Sequence, residues 1–481
     1  MKKLIQIAIL ICSVVFHAEA QQSAAQQQQP STPQQQMPGM NMPPSPQQMP
    51  GMRMGEQQQP SGPALRLEDL EQMGLANNPT LRQAEAELRA TEGRKRQAGL
   101  YPNPTVGYQG EQIRGGSFRG GEQGAFVQQD IVLGGKLGAA RSVVEQERKQ
   151  AEAEHDEQRL RILNGIRVAY YQSLAAQETV ALRAGLLKLA QDAVETSRQL
   201  FNVGQSDQPD VLQAEVEADQ AELALSAAQQ NQQRRWKALA AVVGKPELPL
   251  ARLDGNLEDV PNIDPNEWLQ KLLTDSPAVR IAQLGVNRAE AQLSRAKREP
   301  IPDLQLRGGI EQNRELLEPS NRPAGLQGFA EVGVRIPLFN RNQGNIEAAK
   351  AELERARLET RRVQLLLRER LASTVQNYLT AKSTAERYRD RMIPRAENAY
   401  RLYLQKYNNM QAAYPQVLIA QRTLFQLKTD YVSALESVWM SSIALRGFML
   451  TDGLEAPTPP SEIDRPVREM NLPTPSSGSQ R

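Results

Sequence analysis

Cysteine is almost missing from this chain: among 481 residues only Cys12 carries a thiol. That excludes a disulfide framework and any cysteine-built metal centre. Histidine is nearly as scarce, with His17 and His155 alone, so imidazole catalysis has little to draw on. Aromatic residues make up 5% and hydrophobic residues 40%, at a mean hydropathy of −0.56. Several large globular cores cannot be filled from that stock. Beyond the N-terminus no stretch reaches the roughly 18–20 apolar residues of a membrane-spanning helix. A net charge of +2 excludes strong attraction to a polyanion. What is plentiful is Ala, Gln, Glu, Arg and Leu, the composition of long helices with narrow apolar seams.

The first twenty residues read as an export signal. Met1-Lys2-Lys3 gives a positive start, Leu4–Phe16 an apolar core, and Ala18-Glu19-Ala20 a cleavage site before Gln21. Cys12 falls inside that signal, so the mature chain is predicted to be cysteine-free. Lipidation at Cys12 is disfavoured, because Ile9-Leu10-Ile11 lacks the small residue that precedes a lipidated cysteine. Residues 21–63 form a Gln/Pro/Met-rich tail and 454–481 a Pro/Ser-rich one. Neither can bury enough apolar surface to offset its ordering entropy, so both are predicted to be disordered.

Between the tails one pattern runs twice. Asn78-Pro79-Thr80-Leu81-Arg82 aligns with Ser276-Pro277-Ala278-Val279-Arg280, 198 residues later. The same offset carries Pro102, Pro104 and Gly110 onto Pro300, Pro302 and Gly308. Val211-Leu212-Gln213-Ala214 aligns with Val417-Leu418-Ile419-Ala420 at an offset of 206, which predicts a longer loop around Leu316–Pro323. Shared offsets over punctuating residues point to an internal duplication, with halves 64–253 and 254–453. Each half reads helix, strand, loop, strand, very long helix, tight turn, long helix.

The strand signal is clearest in the second half. In Asp303–Glu311, Leu304, Leu306 and Ile310 alternate with Asp303, Gln305, Arg307 and Glu311. In Phe329–Leu338, Ala330, Val332, Val334, Ile336 and Leu338 alternate with Glu331, Gly333 and Arg335. Period two over about ten residues predicts a strand with one apolar and one polar face. The helices keep a different rhythm. Val417, Leu424, Tyr431 and Val438 recur every seven residues, and Ala214, Ala221 and Ala228 repeat that spacing in the first half. A sustained heptad predicts coiled-coil packing, and abundant alanine predicts close approach. A partner helix over about Ala139–Phe201 would run roughly 90 Å at 1.5 Å per residue. Pro394 should kink or offset the corresponding helix of the second half.

Four strands of this length cannot close a barrel, since the smallest single-chain membrane barrels use about eight. They must be completed by other copies, or stand in water. Here the sequence resembles the TolC-type outer membrane efflux proteins, over about 64–453. The resemblance rests on the doubled architecture and on local marks. These are Tyr101-Pro-Asn-Pro104 with its echo Pro300-Ile-Pro302, and Asp130-Ile-Val-Leu-Gly-Gly-Lys136 with Ile336-Pro-Leu-Phe339. At the hairpin turn Phe201-Asn-Val-Gly204 is followed by Asp210-Val-Leu-Gln-Ala214. It implies a fold that is mainly α with a β-barrel portion: a homotrimer with a twelve-stranded outer membrane barrel on an α-helical periplasmic tunnel. It further implies a passive efflux conduit for small molecules or metal ions, working with a periplasmic adaptor and an inner-membrane pump of the resistance-nodulation-division type.

The resemblance places the periplasmic aperture and the adaptor contact at the hairpin tips. In the first these are Val203, Gly204, Gln205, Asp207, Asp210 and Val211; in the second Met410, Gln411, Gln416 and Val417. Family members carry aspartates on the second hairpin, where this chain has Gln416 and Ile419. A carboxylate ring there is therefore not expected.

No catalytic residue is proposed from the sequence. His155, in Glu-Ala-Glu-His-Asp-Glu, reads as part of a solvated helix face. The Gly-rich 115–121 reads as a loop between strands, not a phosphate cradle. The tail holds Met37, Met40, Met42, Met49, Met52 and Met54 in two Met-Pro-Gly-Met repeats. Thioethers are soft ligands that favour Cu(I) and Ag(I); the competing reading is a flexible low-complexity tract. The rival to a channel is a periplasmic coiled-coil adaptor or scaffold. An adaptor would need only one hairpin, and a scaffold would need no alternating strands.

Overall fold

The computed structural model describes residues 64–113, 121–317, 322–409, 411 and 414–456, all within one unit, Gln59–Arg481. The export signal, the Met-rich tail, nearly all of the Gly-rich loop, Met410 and residues 457–481 lie outside them. In chain order the elements are α1 (Leu67–Asn77), α2 (Pro79–Ala98), β1 (Thr105–Glu111), β2 (Glu122–Ile131), α3 (Lys136–Asn202) and α4 (Gln208–Val243). There follow α5 (Pro265–Asp275), α6 (Pro277–Arg298), β3 (Leu304–Leu317), β4 (Arg322–Val334) and α7 (Gln343–Arg387). A π-helical turn (Tyr388–Met392), α8 (Ile393–Asn408) and α9 (Tyr414–Arg446) complete the fold. The order helix, helix, strand, strand, helix, helix thus occurs twice.

Each half opens with two helices where the sequence suggested one. The break falls at the aligned Asn78-Pro79 and Ser276-Pro277. Proline sits at the start of α2 and α6, where its missing N–H costs nothing and its fixed φ favours helix entry. Asn78 is fully buried and ties four groups. Its Oδ1 accepts from the Thr80 N–H at 2.9 Å and the Thr80 hydroxyl at 2.7 Å. Its Nδ2 donates to the Val242 carbonyl at 2.9 Å and the Gly453 carbonyl at 3.1 Å. Gln158 extends the knot, donating to the Thr80 hydroxyl at 2.7 Å and the Glu455 carbonyl at 3.0 Å. The start of α2, the end of α4 and the C-terminal segment are thereby joined on α3.

α3 has 67 residues, about 100 Å of helix. Its heptad partners pack as the sequence predicts: Leu424, Tyr431 and Val438 on α9 and Ala214 and Ala221 on α4 are buried. The core itself lies where the connection 245–264 crosses the helices. Leu253, Leu257 and Ile263 sink among Ile166, Tyr170 and Leu174 of α3, Trp236 and Leu239 of α4, Tyr378 of α7 and Leu435 of α9. Each of those four helices also sends a ring donor to the crossing backbone. Trp236 donates Nε1–H to the Leu248 carbonyl at 2.9 Å, and Trp439 to that of Leu257 at 2.8 Å. The hydroxyl of Tyr378 donates to Pro261 at 3.0 Å and accepts from the Ile263 N–H at 3.2 Å, while Tyr170 donates to Asp254. A connection otherwise rich in orphan carbonyls is satisfied by the helices it straps together.

Two expectations are corrected. Residues Leu316–Pro323 do not simply lengthen a loop: Leu316 pairs Pro323 and Leu317 pairs Arg322 beyond a register shift at Asn313/Leu316, so the added residues extend the hairpin. β4 stops at Val334, short of Leu338, because Pro337 has no N–H for the ladder. At Pro394 the expected disturbance takes the form of the π-turn before it, in which Ile393 N–H reaches back five residues to Tyr388. The wider turn draws the helix away from the carbonyl that the proline ring would strike.

Replacing Asn78 by alanine should destabilise the purified protein by about 3 kcal/mol, because buried carbonyls lose their donor as the cap is lost. Thr80→Val should cost about 1 kcal/mol. Thermal melting in detergent ranks the two, and equal melting of Asn78→Ala and wild type would contradict this role.

Candidate functional site

The four strands form one antiparallel sheet in the order β1-β2-β3-β4. Directly opposed residues share a face, and neighbours along a strand alternate. On one face stand Val106 and Tyr108, then Ala125, Val127 and Ile131, then Leu304, Leu306 and Ile310, then Leu326, Ala330, Val332 and Val334. No charged residue joins them in the register from Thr105 to Asn313. This apolar face is the open one: Tyr108 is 62%, Val332 69% and Leu326 71% exposed. The polar face is the half-buried one, with Gln128, Asp130, Arg307 and Glu311. The polarity is inverted relative to a water-soluble sheet, in which the exposed face would be polar.

The polar face has its own packing. Across all four strands one row reads Gly107, Phe126, Gly309, Phe329. A Cβ on Gly107 would come within 2.6 Å of the Phe126 ring, and one on Gly309 within 2.8 Å of the Phe329 ring. The glycines let the rings lie on the sheet. Arg307 then spans both, its guanidinium 4.3 Å from the Phe126 centroid and 5.6 Å from that of Phe329. It also approaches Glu331 at 3.7 Å and donates to the Gln109 side chain. From β3, one arginine reaches the other three strands.

At the far end of the helices lie the hairpin tips. α3 closes with Gly204 in the left-handed region at φ 71°, where Gly204 N–H bonds Phe201 at 3.0 Å and Gln205 N–H bonds Leu200 at 2.9 Å. This is the six-to-one closure that favours glycine. The second tip repeats it: Gln411 N–H bonds Lys406 at 2.8 Å. Val203, Gln205, Asp207 and Asp210 are exposed, and Val211 is half-buried. Asp207 begins α4 without capping it, whereas Asp210 accepts from the Ser206 hydroxyl at 2.8 Å. Gln411 and Gln416 are exposed. Val417, expected at the tip surface, is only 2% exposed and belongs to the coiled-coil seam.

The sequence reading missed the aromatic brace of the second tip. The Tyr407 and Tyr414 rings pack at a tilt of 48° with centroids 5.0 Å apart, and burial pushes the Tyr414 hydroxyl up to about 12. Also missed was a cavity of about 580 Å³ between the hairpins, floored by Ala190, Ala193 and Ala221 and edged by Arg183, Glu217 and Arg422. A phenol pair straddling a turn at seven-residue spacing was the available signal for the brace. Among the described residues no group of His, Cys, Asp and Glu is arranged to hold a metal, and no helix is long and apolar enough to cross a membrane.

A membrane-directed sheet joined to long helical hairpins defines a conduit class of protein, with no catalytic constellation described in it. The family model for outer membrane efflux proteins matches residues 70–245 and 268–449, and the chain belongs to that family of non-enzymatic outer membrane channels. The strap accounts for most of the gap between the matched stretches. The chain is 28% identical over 385 residues to the cobalt-zinc-cadmium resistance protein CzcC of Cupriavidus metallidurans, covering 80% of this chain and 90% of that one. It is 28% identical over 299 residues to the nickel-cobalt-cadmium resistance protein NccC of Alcaligenes xylosoxydans, covering 61% and 66%. Among solved structures, CusC superposes with a TM-score of 0.65 at 17% identity, covering 80% of this chain and 91% of that one. VceC of Vibrio cholerae gives 0.64 at 22%, covering 81% and 97%.

Gly204→Ala should cost about 1–2 kcal/mol at the tip alone, since only the left-handed backbone opposes a Cβ there. Hydrogen exchange should quicken over 199–211 with global melting unmoved. Unchanged exchange would mean that the closure does not depend on glycine.

Proposed function

We propose that three copies of this chain close a twelve-stranded barrel in the outer membrane and continue into a periplasmic helical tunnel that conducts metal cations outward. The observation that carries the reading is the inverted sheet. Its open face is apolar, its half-buried face polar, and β1 and β4 each pair on one side only among the described residues. Unpaired edges in lipid cost several kcal/mol per backbone group, so closure by further copies is the stable solution. A second apolar surface supports the same assembly. Leu358, Leu365, Ala372 and Leu379 recur every seven residues along α7, all exposed. Such a stripe is what a coiled-coil neighbour would cover.

The doubled element order supports an ancestral duplication with halves 64–253 and 254–453, and the Ala18-Glu19-Ala20 site supports a mature chain beginning at Gln21. Metal cargo is supported by the resistance relatives. The exposed tips, including Asp210 and Gln411, form the aperture that adaptor and pump engage. The Met-rich tail collects Cu(I) or Ag(I) through its thioethers.

Detergent-extracted protein should have the mass of a trimer and give discrete single-channel conductance in a planar bilayer. A water-soluble monomer or dimer without conductance would return the sheet to the periplasm and favour a scaffold. Asp210→Arg should alter conductance or adaptor coupling without dissociating the trimer; unchanged transport with normal adaptor binding would remove Asp210 from the aperture. Cu(I) titration of the full mature chain under reducing conditions should show uptake that an all-Met→Leu tail abolishes. Equal uptake by both would end the tail's assignment.

A further inference from the structure

The polar face of the sheet is strongly unbalanced in charge, and its one cation is already engaged. In the paired register this face carries Glu111, Glu122, Asp130, Glu311 and Glu331 against a single Arg307. Arg307 is held against Glu331 and over both phenylalanine rings, so its charge is local to that pair. Glu111 accepts only from the neutral Gln109 amide at 2.6 Å, and Glu122 only from Asn313 at 2.7 Å. Neither they nor Glu311 have a cationic partner among the described residues. Nearer the helices, Asp303 is matched by Lys136 at 2.9 Å. Asp130, also without a cation, lies at the helix end of the sheet, whereas Glu111, Glu122 and Glu311 stand towards the end away from the helices, the outer part of the wall in the barrel reading.

From this arrangement we infer that the barrel wall itself selects for cations, with Glu111, Glu122 and Glu311 as the selecting residues and Arg307 as the counterweight. The inference rests on the barrel reading above. It requires no bound ion. A water-filled lumen walled by low-dielectric lipid focuses the field of its wall, raising counter-ion concentration and excluding co-ions. Three copies multiply the excess around one ring. At the tips Gln416 and Ile419 leave the second hairpin without carboxylates, so the tips offer only Asp207 and Asp210 of the first hairpin, and the sheet adds its own excess. Arg307 limits the effect: freed of it, Glu331 would add to the negative wall. Screening fixes the conditions under which this is visible, because at about 0.1 M salt the field of a fixed charge decays over roughly 10 Å.

The test is the reversal potential of the full-length channel in a planar bilayer under a KCl gradient, at low and at high mean ionic strength. Wild type should favour K⁺ over Cl⁻ by roughly three-fold or more at low salt, and less at high salt. Glu111→Gln with Glu122→Gln and Glu311→Gln should bring the ratio towards one. Arg307→Gln should move it the other way, so a general loss of folding cannot imitate the pair of results. A wild-type ratio at or below one, both variants moving together, or full cation preference in the triple variant would overturn the inference while leaving the channel standing. No conductance from any trimer would overturn the barrel reading, and this inference with it.

Discussion

A β-sheet whose exposed face is apolar and whose sheltered face is polar cannot be at rest in water, and the rest of this molecule follows from that constraint. The apolar side offers Tyr108, Val127, Ile310, Leu326 and Val332 with no covering element among the described residues. The polar side carries carboxylates, amides and Arg307. Lipid satisfies the first and a water-filled interior the second. Four strands per chain leave two edges, so the sheet also demands neighbours. In the proposed reading, assembly and membrane location both follow from this one polarity pattern.

The helices answer a different requirement. Narrow, alanine-rich seams hold two hairpins together over a long distance but supply little core. The strap supplies it. Residues 245–264 draw buried apolar side chains from α3, α4, α7 and α9 into one place, and ring donors from the same helices satisfy the strap's backbone. Away from the strap, towards the tips, α8 has no fully buried side chain among those described, and the helix passes through a π-turn on its way there. The molecule is firm at the strap and lightly packed towards the tips, where the proposed aperture lies.

Much of this was legible in the sequence, and the reason is periodicity. Alternation in 303–311 and heptads along 417–438 are local patterns, so they located strands and seams without coordinates. Asn78-Pro79 and Ser276-Pro277, read in the sequence only as aligning the halves, also mark helix starts. That signal is local, because proline at the first turn and the Asn78 cap act within a few residues. What sequence could not deliver depends on register or on distant contacts. The Gly107–Phe126–Gly309–Phe329 row exists only once three strand registers are known. Trp236, Tyr378 and Trp439 converge on the strap from positions some 60–140 residues apart. Val417 fits a tip and a seam equally well by spacing, and only its burial separates the two. Proline marked the disturbance in the second long helix but not its form, since the π-turn begins six residues earlier.

The central claim is that the face bearing Val332 meets lipid and the face bearing Glu331 meets water. Cys12 is the one cysteine of the sequence, and Cys12→Ser removes any competing thiol. Single cysteines can therefore be placed at successive positions 326–333 of β4, labelled with an environment-sensitive fluorophore and reconstituted into vesicles. Brominated lipid should quench the even-numbered positions and leave the odd-numbered ones open to an aqueous quencher, in strict alternation. Aqueous quenching of every position alike would contradict the account and place the sheet outside the membrane.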